Sequence, residues 1–245
     1  MAMNLVKLPT GKPNLQLRVS KGHYATSHSH INYYIDVTLT KFRLSEARAA
    51  AQELVRGYRG TTIIDTILCL DGTEVIGACM GSELTKAGYS NMNAHQTIYV
   101  VTPEHTTGSQ LIFRENTAPM IQNKHVLVLA ASVTTGYTVQ GAVEAIRYYG
   151  GEPAGVTAIF ATVDKCAGYP VASIFDPHDL PDYQSYDAHS CPWCKEGKKI
   201  DALVNSFGYS SMYKIDIHAL SPVQGRGRFC GKVQTGSVGA NVVRP

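Results

Sequence analysis

The sequence predicts an α/β protein built on a parallel β-sheet with helices packed on both of its faces. Four short runs of aliphatic residues show little alternation with polar residues, which is typical of strands that are buried on both sides. Helical patterns stand between these runs, and strand and helix alternate at roughly 30-residue intervals, which favours parallel strands joined by crossover helices. The four predicted strands are residues 62–70, 96–102, 125–133 and 155–163.

Capping signals and apolar spacing predict the helices. The first covers residues 44–58, with Ser45 as its candidate N-cap. The second covers residues 138–151 and ends in a glycine pair suited to a C-cap. The segment IDALVNSFGY, residues 200–209, also has a helix-like pattern. In the first helix, the core-facing positions are Ala47, Ala51, Leu54 and Val55.

The order of these patterns predicts three parts in the chain. Residues 1–43 form a small β-rich hood, with β-type runs at 15–19 and 33–39. Residues 44–180 form the α/β core. Residues 181–245 form an extension that contains the CPWC segment and a glycine-rich tail.

Composition excludes several classes of function. The 245 residues carry a net charge of only +3, and no run or face concentrates lysine and arginine, which argues against a nucleic-acid partner. No run of about 18 apolar residues occurs, and the first residues lack the apolar stretch of a signal peptide, so we expect no membrane partner and a cytoplasmic location. Six cysteines with one close pair fit a reducing compartment.

The stretch VTTGYT predicts a phosphate-binding loop. A strand that ends in TTG and continues as a helix places backbone N–H groups around a turn, next to the positive end of the helix dipole. Thr134, Thr135 and Thr138 offer hydroxyl groups, and Gly136 lacks the Cβ that would keep a phosphate away from the backbone. An ordinary strand-to-helix turn capped by threonines is the alternative. The spacing matches neither GxxxxGK[ST] nor GxGxxG, so it predicts neither a P-loop nor a dinucleotide fingerprint.

VLVLAASVTTGYT, residues 126–138, resembles the phosphoribosyl-diphosphate (PRPP) motif of type I phosphoribosyltransferases, which reads four apolar residues, two acids, two apolar residues and TTGxT. Three further stretches, at 24–36, 147–160 and 161–168, resemble orotate phosphoribosyltransferase. The resemblance covers about residues 14–195. It implies a type I phosphoribosyltransferase-like fold, a homodimer, and PRPP or a nucleotide as the partner, with Mg²⁺ carried by PRPP.

The resemblance also implies which residues form the site. The TTGxT loop would hold the 5-phosphate, the loop after the first core strand the diphosphate, and the hood the base, while a mobile loop would close over them. The corresponding residues are Thr134, Thr135, Gly136, Tyr137 and Thr138 for the phosphate; Asp71, Gly72, Thr73 and Glu74 for the diphosphate; His30, Tyr33 and Tyr34 for the base; and His105 and Arg114 in the mobile loop.

Two departures from the family pattern concern catalysis. Ala130 and Ala131 stand where the family has the acids that hold the ribose hydroxyls, and an alanine side chain accepts no hydrogen bond. The mobile loop, residues 102–124, lacks the lysines that meet the leaving diphosphate; its cationic residues are His105, Arg114 and Lys124. Two hypotheses follow: an orotate phosphoribosyltransferase-like enzyme of nucleotide metabolism, or a catalytically inactive paralogue that binds PRPP or a nucleotide. No catalytic residue is assigned.

Cys191 and Cys194 of CPWC leave three interpretations open. The pair is half of a tetrahedral zinc site, with the second half supplied by Cys166, His178, Cys230 or a dimer mate. Alternatively it is a glutaredoxin-like redox motif, although few residues follow it for the rest of that fold. The third interpretation, which we favour, is a structural knuckle.

Overall fold

Aliphatic strands form a six-stranded sheet at the centre of the protein, and a second six-stranded sheet forms the hood. The computed structural model describes residues 3–12, 14–108 and 110–212. The strands are β1 Val6–Leu8, β2 Leu17–Ala25, β3 Ser29–Asp36, β4 Thr66–Cys69, β5 Tyr99–Val101, β6 Glu104–His105, β7 Leu111–Ile112, β8 His125–Val133, β9 Glu152–Ala161, β10 Lys165–Cys166, β11 Tyr169–Phe175, β12 Ser185–Asp187, β13 Ala202–Asn205 and β14 Gly208–Ser211. The helices are α1 Thr38–Phe42, α2 Leu44–Leu54, α3 Glu74–Leu84, α4 Tyr137–Tyr148 and α5 Pro192–Lys195.

The central sheet has the strand order β10-β11-β9-β8-β4-β5. The pairs from β11 to β5 are all parallel, and β10 is an antiparallel edge strand. The predicted α/β class, with a parallel sheet and flanking helices, is confirmed. All four predicted strands are present, as β4, β5, β8 and β9.

The central strands bury alternate residues in two hydrophobic clusters, one on each face of the sheet. Leu127, Leu129 and Ala131 of β8 belong to the cluster under α2 and α3. Val128 and Ala130 belong to the cluster that contains residues of α4. Because both faces of β8 are covered, the strand has no need of polar residues at alternate positions, which explains its continuous apolar run.

The helices show one wrong cap and more than one missed helix, and α1, which begins at Thr38, occupies the end of the β-type run predicted at 33–39. Residue Ser45 is not a cap, because α2 begins at Leu44 with Arg43 as its N-cap. The C-terminal prediction for α4 is confirmed, since the helix ends at Tyr148 and Gly150 has a φ of 77°. The patterns missed α3, in which a Cβ at Gly77 would lie 2.4 Å from Cys69 Sγ, so glycine is needed there for close packing on the sheet.

The hood sheet joins the two ends of the described chain. Its order is β12-β3-β2-β13-β14, with β1 also paired to β2. The predicted helix at residues 200–209 is wrong, because β13 and β14 form a hairpin there and bury every second residue of β13. Asn205 Oδ1 stabilises the hairpin turn by accepting bonds from the N–H groups of Phe207 and Gly208.

This sheet bears on the three-part division made from the sequence. The extension that starts at residue 181 contributes β12, β13 and β14 to the hood, so these two parts share one sheet. The glycine-rich tail from Gly225 lies outside the described residues. None of the helices in the described part of the chain has the length and apolar character needed to span a bilayer.

Candidate functional site

A cavity of about 470 Å³ lies between the hood sheet and the ends of β4 and β8. Its lining includes Thr134, Thr135, Tyr137 and Thr138 from the predicted phosphate loop, Asp71 from the predicted diphosphate loop, and Tyr33 and Tyr34 from the hood. The structure thus brings together residues of three predicted groups that lie far apart in the sequence. The other polar lining residues are Thr26, Ser27, His28, Ser132, Tyr183, Asn205 and Ser206.

The phosphate loop connects β8 to the N-terminus of α4. Gly136 is the N-cap of α4 and has a φ of 80°, in the left-handed region that glycine tolerates best. A Cβ at Gly136 would lie 2.5 Å from Cys166 Sγ. The missing side chain therefore makes room for this thiol and not, as the sequence predicts, for a phosphate. The first turn of α4 carries no acidic residue, so the positive end of the helix dipole is not neutralised there.

The predicted diphosphate loop contributes one residue to the cavity. Asp71 lines it with a φ of 59°, an uncommon backbone conformation for a residue other than glycine. Thr73 is instead buried, and its hydroxyl donates to the carbonyl oxygens of Leu70 and Leu129. Neither Gly72 nor Thr73 nor Glu74 is part of the lining.

The charge of Asp71 is set by opposing effects. Burial raises the pKa of its carboxyl group, while hydrogen bonds from Ser206 and from the backbone of Ala131, and the nearby Lys41 and His105, lower it. Burial has the largest effect, so the pKa lies above its ordinary value. This group therefore takes up a proton more readily than an exposed aspartate.

Lys41 does not line the cavity, but it bonds to two residues that do, and the sequence patterns missed this role. It is only 1% exposed, and its Nζ donates to the carbonyl oxygens of Asp71 at 2.8 Å and Ser206 at 2.7 Å. Burial lowers the pKa of this amine. Lys41 joins the loop after β4 to the hairpin turn of the hood, and a single lysine in a helical segment gives no sequence signal for that role.

Hydrogen bonds and aromatic packing hold the hood residues that line the cavity. The hydroxyl of Tyr33 donates to the carbonyl oxygen of Pro181 at 2.8 Å. Burial raises the pKa of Tyr34 to about 12, and its ring packs against those of Tyr24 and Tyr209. His28, which the sequence patterns did not single out, also lines the cavity, and its ring centroid lies 5.3 Å from that of Tyr137.

His105 and Arg114 lie in the segment predicted to be a mobile loop, and neither lines the cavity. The segment contains the two-stranded β6–β7 hairpin. The guanidinium group of Arg114 is paired with Glu104, with an N–O distance of 2.7 Å, and this partner raises the pKa of the arginine. In this structure Arg114 therefore neutralises a carboxylate of its own hairpin.

Ala130 and Ala131 contribute no side chain to the cavity. Both are 0% exposed and packed in the core. The next residue, Ser132, is exposed and lines the cavity at the end of β8. Its hydroxyl is thus the polar side chain that this strand end offers to a ligand.

A second cluster of chemically active side chains lies in the hood, on the CPWC segment. The ligand atoms of His23, His30, Cys191 and Cys194 all lie within 4.8 Å of one another, as in a group that could hold a metal ion. His30, predicted to bind the base, belongs to this cluster and is not in the cavity lining, so base binding by His30 stays a prediction. Burial and the adjacent His23 lower the pKa of His30.

The partners suggested for the cysteine pair lie elsewhere or outside the described residues. Cys166 Sγ contacts the carbonyl oxygen of Gly136, and His178 bonds to Asp176. Cys230 lies outside the described residues. The sequence could have pointed to His23 and His30 only as histidines in a predicted strand region, because nothing in their spacing refers to residues 191–194.

No family model matches the chain. Among solved structures, it is similar to orotate phosphoribosyltransferase from Mycobacterium tuberculosis in complex with Fe(III) dicitrate, with 18% identity, a TM-score of 0.46, and coverage of 67% of this chain and 92% of that one. It is also similar to adenine phosphoribosyltransferase from Trypanosoma brucei in complex with AMP, pyrophosphate and ribose-5-phosphate, with 15% identity, a TM-score of 0.48, and coverage of 74% and 90%. A phosphoribosyltransferase from Corynebacterium diphtheriae gives 20% identity, a TM-score of 0.46, and coverage of 66% and 90%.

Proposed function

We propose that the cavity binds a 5-phosphorylated ribose compound, PRPP or a nucleotide, with its phosphate at residues 134–138. One observation carries the proposal: the hydroxyl-bearing loop and the N-terminus of the 12-residue helix α4 open into a cavity of about 470 Å³. A helix N-terminus with no acidic residue in its first turn favours an anion, and the threonines supply additional donors. The volume lies within the range of roughly 300–1,000 Å³ that is typical of small-molecule sites.

The rest of the cavity suits the other parts of such a ligand. Ser132 and Asp71 supply polar groups beside the phosphate loop, suited to ribose hydroxyls. Tyr33, Tyr34 and His28 form the hood side, where aromatic rings suit a planar base. The ligand would therefore extend from α4 towards the hood.

The same residues favour binding without turnover. Displacing diphosphate develops negative charge on the leaving group, which an enzyme stabilises with cations or metal ions. Among the described residues that line the cavity there is no lysine or arginine, and Asp71 is the only acid. Mg²⁺ would arrive with PRPP, and Asp71 is the side chain suited to meet it, because Mg²⁺ prefers oxygen ligands. Phosphoribosyl transfer to a base is the alternative hypothesis.

Calorimetric titration with ribose 5-phosphate tests the binding proposal. Thr135→Val and Thr138→Val each remove one hydroxyl without a large change of shape. Losing a hydrogen bond to a charged group costs about 1.5–3 kcal/mol, which weakens binding about 10- to 150-fold. Thr61→Val is the matched control, because Thr61 is exposed and its hydroxyl bonds to the carbonyl oxygen of Gly57. Equal affinity in all four proteins, or no binding by the wild type, would refute the role of the loop.

Diphosphate release from PRPP separates the two hypotheses. The wild-type protein is incubated with PRPP, Mg²⁺ and a panel of purine and pyrimidine bases. We expect the protein to bind ribose 5-phosphate or a nucleotide, and we expect diphosphate to be released no faster than in the absence of protein. Release that depends on one base would establish the transferase and exclude the inactive paralogue.

The remaining expectations concern the setting of this site. A homodimer, a cytoplasmic location and a role in pyrimidine or other nucleotide metabolism belong to the proposal and rest on the sequence resemblance. Zinc binding by Cys191 and Cys194 is likewise part of it and is independent of the cavity. Light scattering during size-exclusion chromatography tests the dimer, since a mass of one 26.6 kDa chain would exclude it.

A further inference from the structure

Two histidines of the hood and two cysteines of the CPWC segment converge from opposite ends of the described chain. His23 lies on β2 and His30 on β3, while Cys191 precedes α5 and Cys194 lies within it. We propose that these four side chains form a structural zinc site that fastens the CPWC segment to the β2–β3 hairpin. The zinc site is independent of the ligand proposed for the cavity.

The distances between the ligand atoms fit a tetrahedral ion. His23 Nε2 lies 3.1 Å from His30 Nδ1, 3.6 Å from Cys191 Sγ and 3.7 Å from Cys194 Sγ. Cys194 Sγ lies 3.3 Å from His30 Nδ1. Zinc bonds of about 2.3 Å to sulfur and 2.0–2.1 Å to nitrogen give tetrahedron edges of about 3.5 Å between S and N and about 3.3 Å between two N atoms. The observed spacings therefore leave room for one zinc ion among the four atoms.

Hydrogen bonding fixes which nitrogen of His23 faces the cluster. Its Nδ1 lies 3.0 Å from the carbonyl oxygen of Lys198 and 3.2 Å from that of Lys199. Carbonyl oxygens only accept, so Nδ1 carries the proton, and the neutral ring presents the lone pair of Nε2 to the cluster. A backbone carbonyl that orients a histidine in this way is the usual support of a metal ligand.

The backbone of β2 is distorted at the same point. The register of β2 on β3 shifts between Lys21 and Tyr24, so Gly22 and His23 together oppose Asn32 as a bulge. A Cβ at Gly22 would lie 2.7 Å from Asp201 Oδ2, and this carboxylate accepts the backbone N–H of His23. The bulge and Asp201 thus hold His23 in place before any ion binds.

Burial and charge favour a structural ion over a catalytic one. His23 is 0% exposed, Cys191 1% and His30 7%, whereas Cys194 is exposed. Four protein ligands close a tetrahedral site, so no position remains open for water or substrate. Two thiolates also balance the double charge of Zn²⁺, which lowers the free-energy cost of burying the ion. Binding would release the two thiol protons to solvent.

The site would also stabilise one wall of the cavity. The β2–β3 hairpin carries Thr26, His28 and Tyr33 of the lining, and β13 pairs with β2 directly beyond His23. Loss of the ion would release the CPWC segment from this hairpin. We therefore expect metal removal to lower the stability of the hood before that of the central sheet.

Metal content of the full-length chain tests the site. The protein is purified under reducing conditions from zinc-supplemented medium, and we expect one zinc per chain. Cys194→Ser and His30→Ala should each lower the zinc affinity at least about tenfold, which is the lower end of the effect seen even for supporting residues. His189→Ala is the matched control, because His189 is two residues from Cys191 but outside the cluster. Less than one tenth of an equivalent of zinc in the wild type, or loss of zinc from His189→Ala alone, would overturn the proposal.

Cobalt substitution tests the same site in the wild-type protein, so the result does not depend on whether the variants fold. Wild-type protein stripped by a chelator and loaded with Co²⁺ should show intense visible d–d bands of tetrahedral coordination and a thiolate-to-cobalt charge-transfer band. Weak octahedral bands without charge transfer would overturn the assignment. These readouts involve no ribose phosphate, so they succeed or fail independently of the function proposed for the cavity.

Discussion

Gly136→Ala probes the turn on which the phosphate loop depends. The new Cβ would lie 2.5 Å from Sγ and 3.7 Å from Cβ of Cys166, and the residue would have to keep a φ of 80°. The left-handed backbone costs about 1–2 kcal/mol for a residue with a Cβ. Overpacking against the thiol adds about 1–3 kcal/mol. We expect a loss of about 2–5 kcal/mol in the free energy of unfolding, which for a chain of this length is a fall in Tm of about 4–20 °C.

Two further variants separate the backbone effect from the clash. Gly168 has a φ of 88°, and a Cβ there would meet nothing within 4 Å, so Gly168→Ala reports the backbone cost alone. Cys166→Ala removes Sγ and leaves the 3.7 Å contact, which is ordinary van der Waals packing. In the Cys166→Ala background, Gly136→Ala should therefore cost only about 1–2 kcal/mol.

Urea unfolding monitored by circular dichroism measures the stability of the wild type and the four variants, and titration with ribose 5-phosphate measures ligand binding at the loop. The two substitutions at Gly136 and Cys166 should show a coupling energy of about 1–3 kcal/mol, since they share one contact. Gly136→Ala should also bind ribose 5-phosphate more weakly than Gly168→Ala. Equal stability losses in Gly136→Ala and Gly168→Ala, with no coupling to Cys166, would refute this account of the turn.

Three other predictions concern buried charge. Burial raises the pKa of Asp71 above 3.8, so the folded protein holds this proton more tightly than the unfolded chain does. The stability that the protonated group contributes at low pH is therefore lost as the pH rises through the raised pKa. In urea titrations, the unfolding free energy of the wild type minus that of Asp71→Asn should fall from pH 3.8 towards neutrality, and a constant difference would contradict this prediction. Arg18 and Glu46 form a buried ion pair at 2.7 Å, and Arg18→Met leaves the Glu46 carboxylate with the exposed Arg43, 3.6 Å away, as its partner. Arg18→Met should therefore cost about 3–5 kcal/mol in urea unfolding and Arg18→Met/Glu46→Leu much less. Equal losses would exclude the poorly compensated carboxylate as the cause. Ala131→Asp places a carboxylate in the core and should lower the free energy of unfolding by at least about 3 kcal/mol. Ser132→Asp places the same group on the cavity wall and should change the thermal unfolding temperature much less. A larger loss for Ser132→Asp than for Ala131→Asp would show that Ala131 is accessible.

Ala131→Asp and Ser132→Asp bear on where this chain could carry the acids of the motif that its sequence resembles. From the sequence, Ala130 and Ala131 are the positions at which to reintroduce acids. The structure places both side chains in the core, while Ser132 faces the cavity. An acid at Ser132 is therefore the substitution that offers a carboxylate to a bound ribose without burying an unpaired charge.

The candidate site shows where local patterns are sufficient. The TTGYT loop lies at the end of β8 and the start of α4, as the change from an apolar run to threonines and glycine indicates. Asp71 and the hood tyrosines reach the same cavity. Lys41 and His28 were missed, because single polar residues acquire a role only through the neighbours that folding brings to them.

The sequence by itself determined the central layer of this protein. Strands covered on both faces are apolar throughout. The turn from β8 to α4 has a positive φ at Gly136, which favours glycine, so consecutive residues of the sequence indicate the strand, the turn and the helix. Only the tertiary structure decided that β13 pairs with β2 and that the cysteines of CPWC meet His23 and His30. Those contacts join residues more than 160 positions apart, as in the bond between His23 and Cys191. They depend on the packing of whole sheets, and hydrophobic periodicity along the chain carries no record of them.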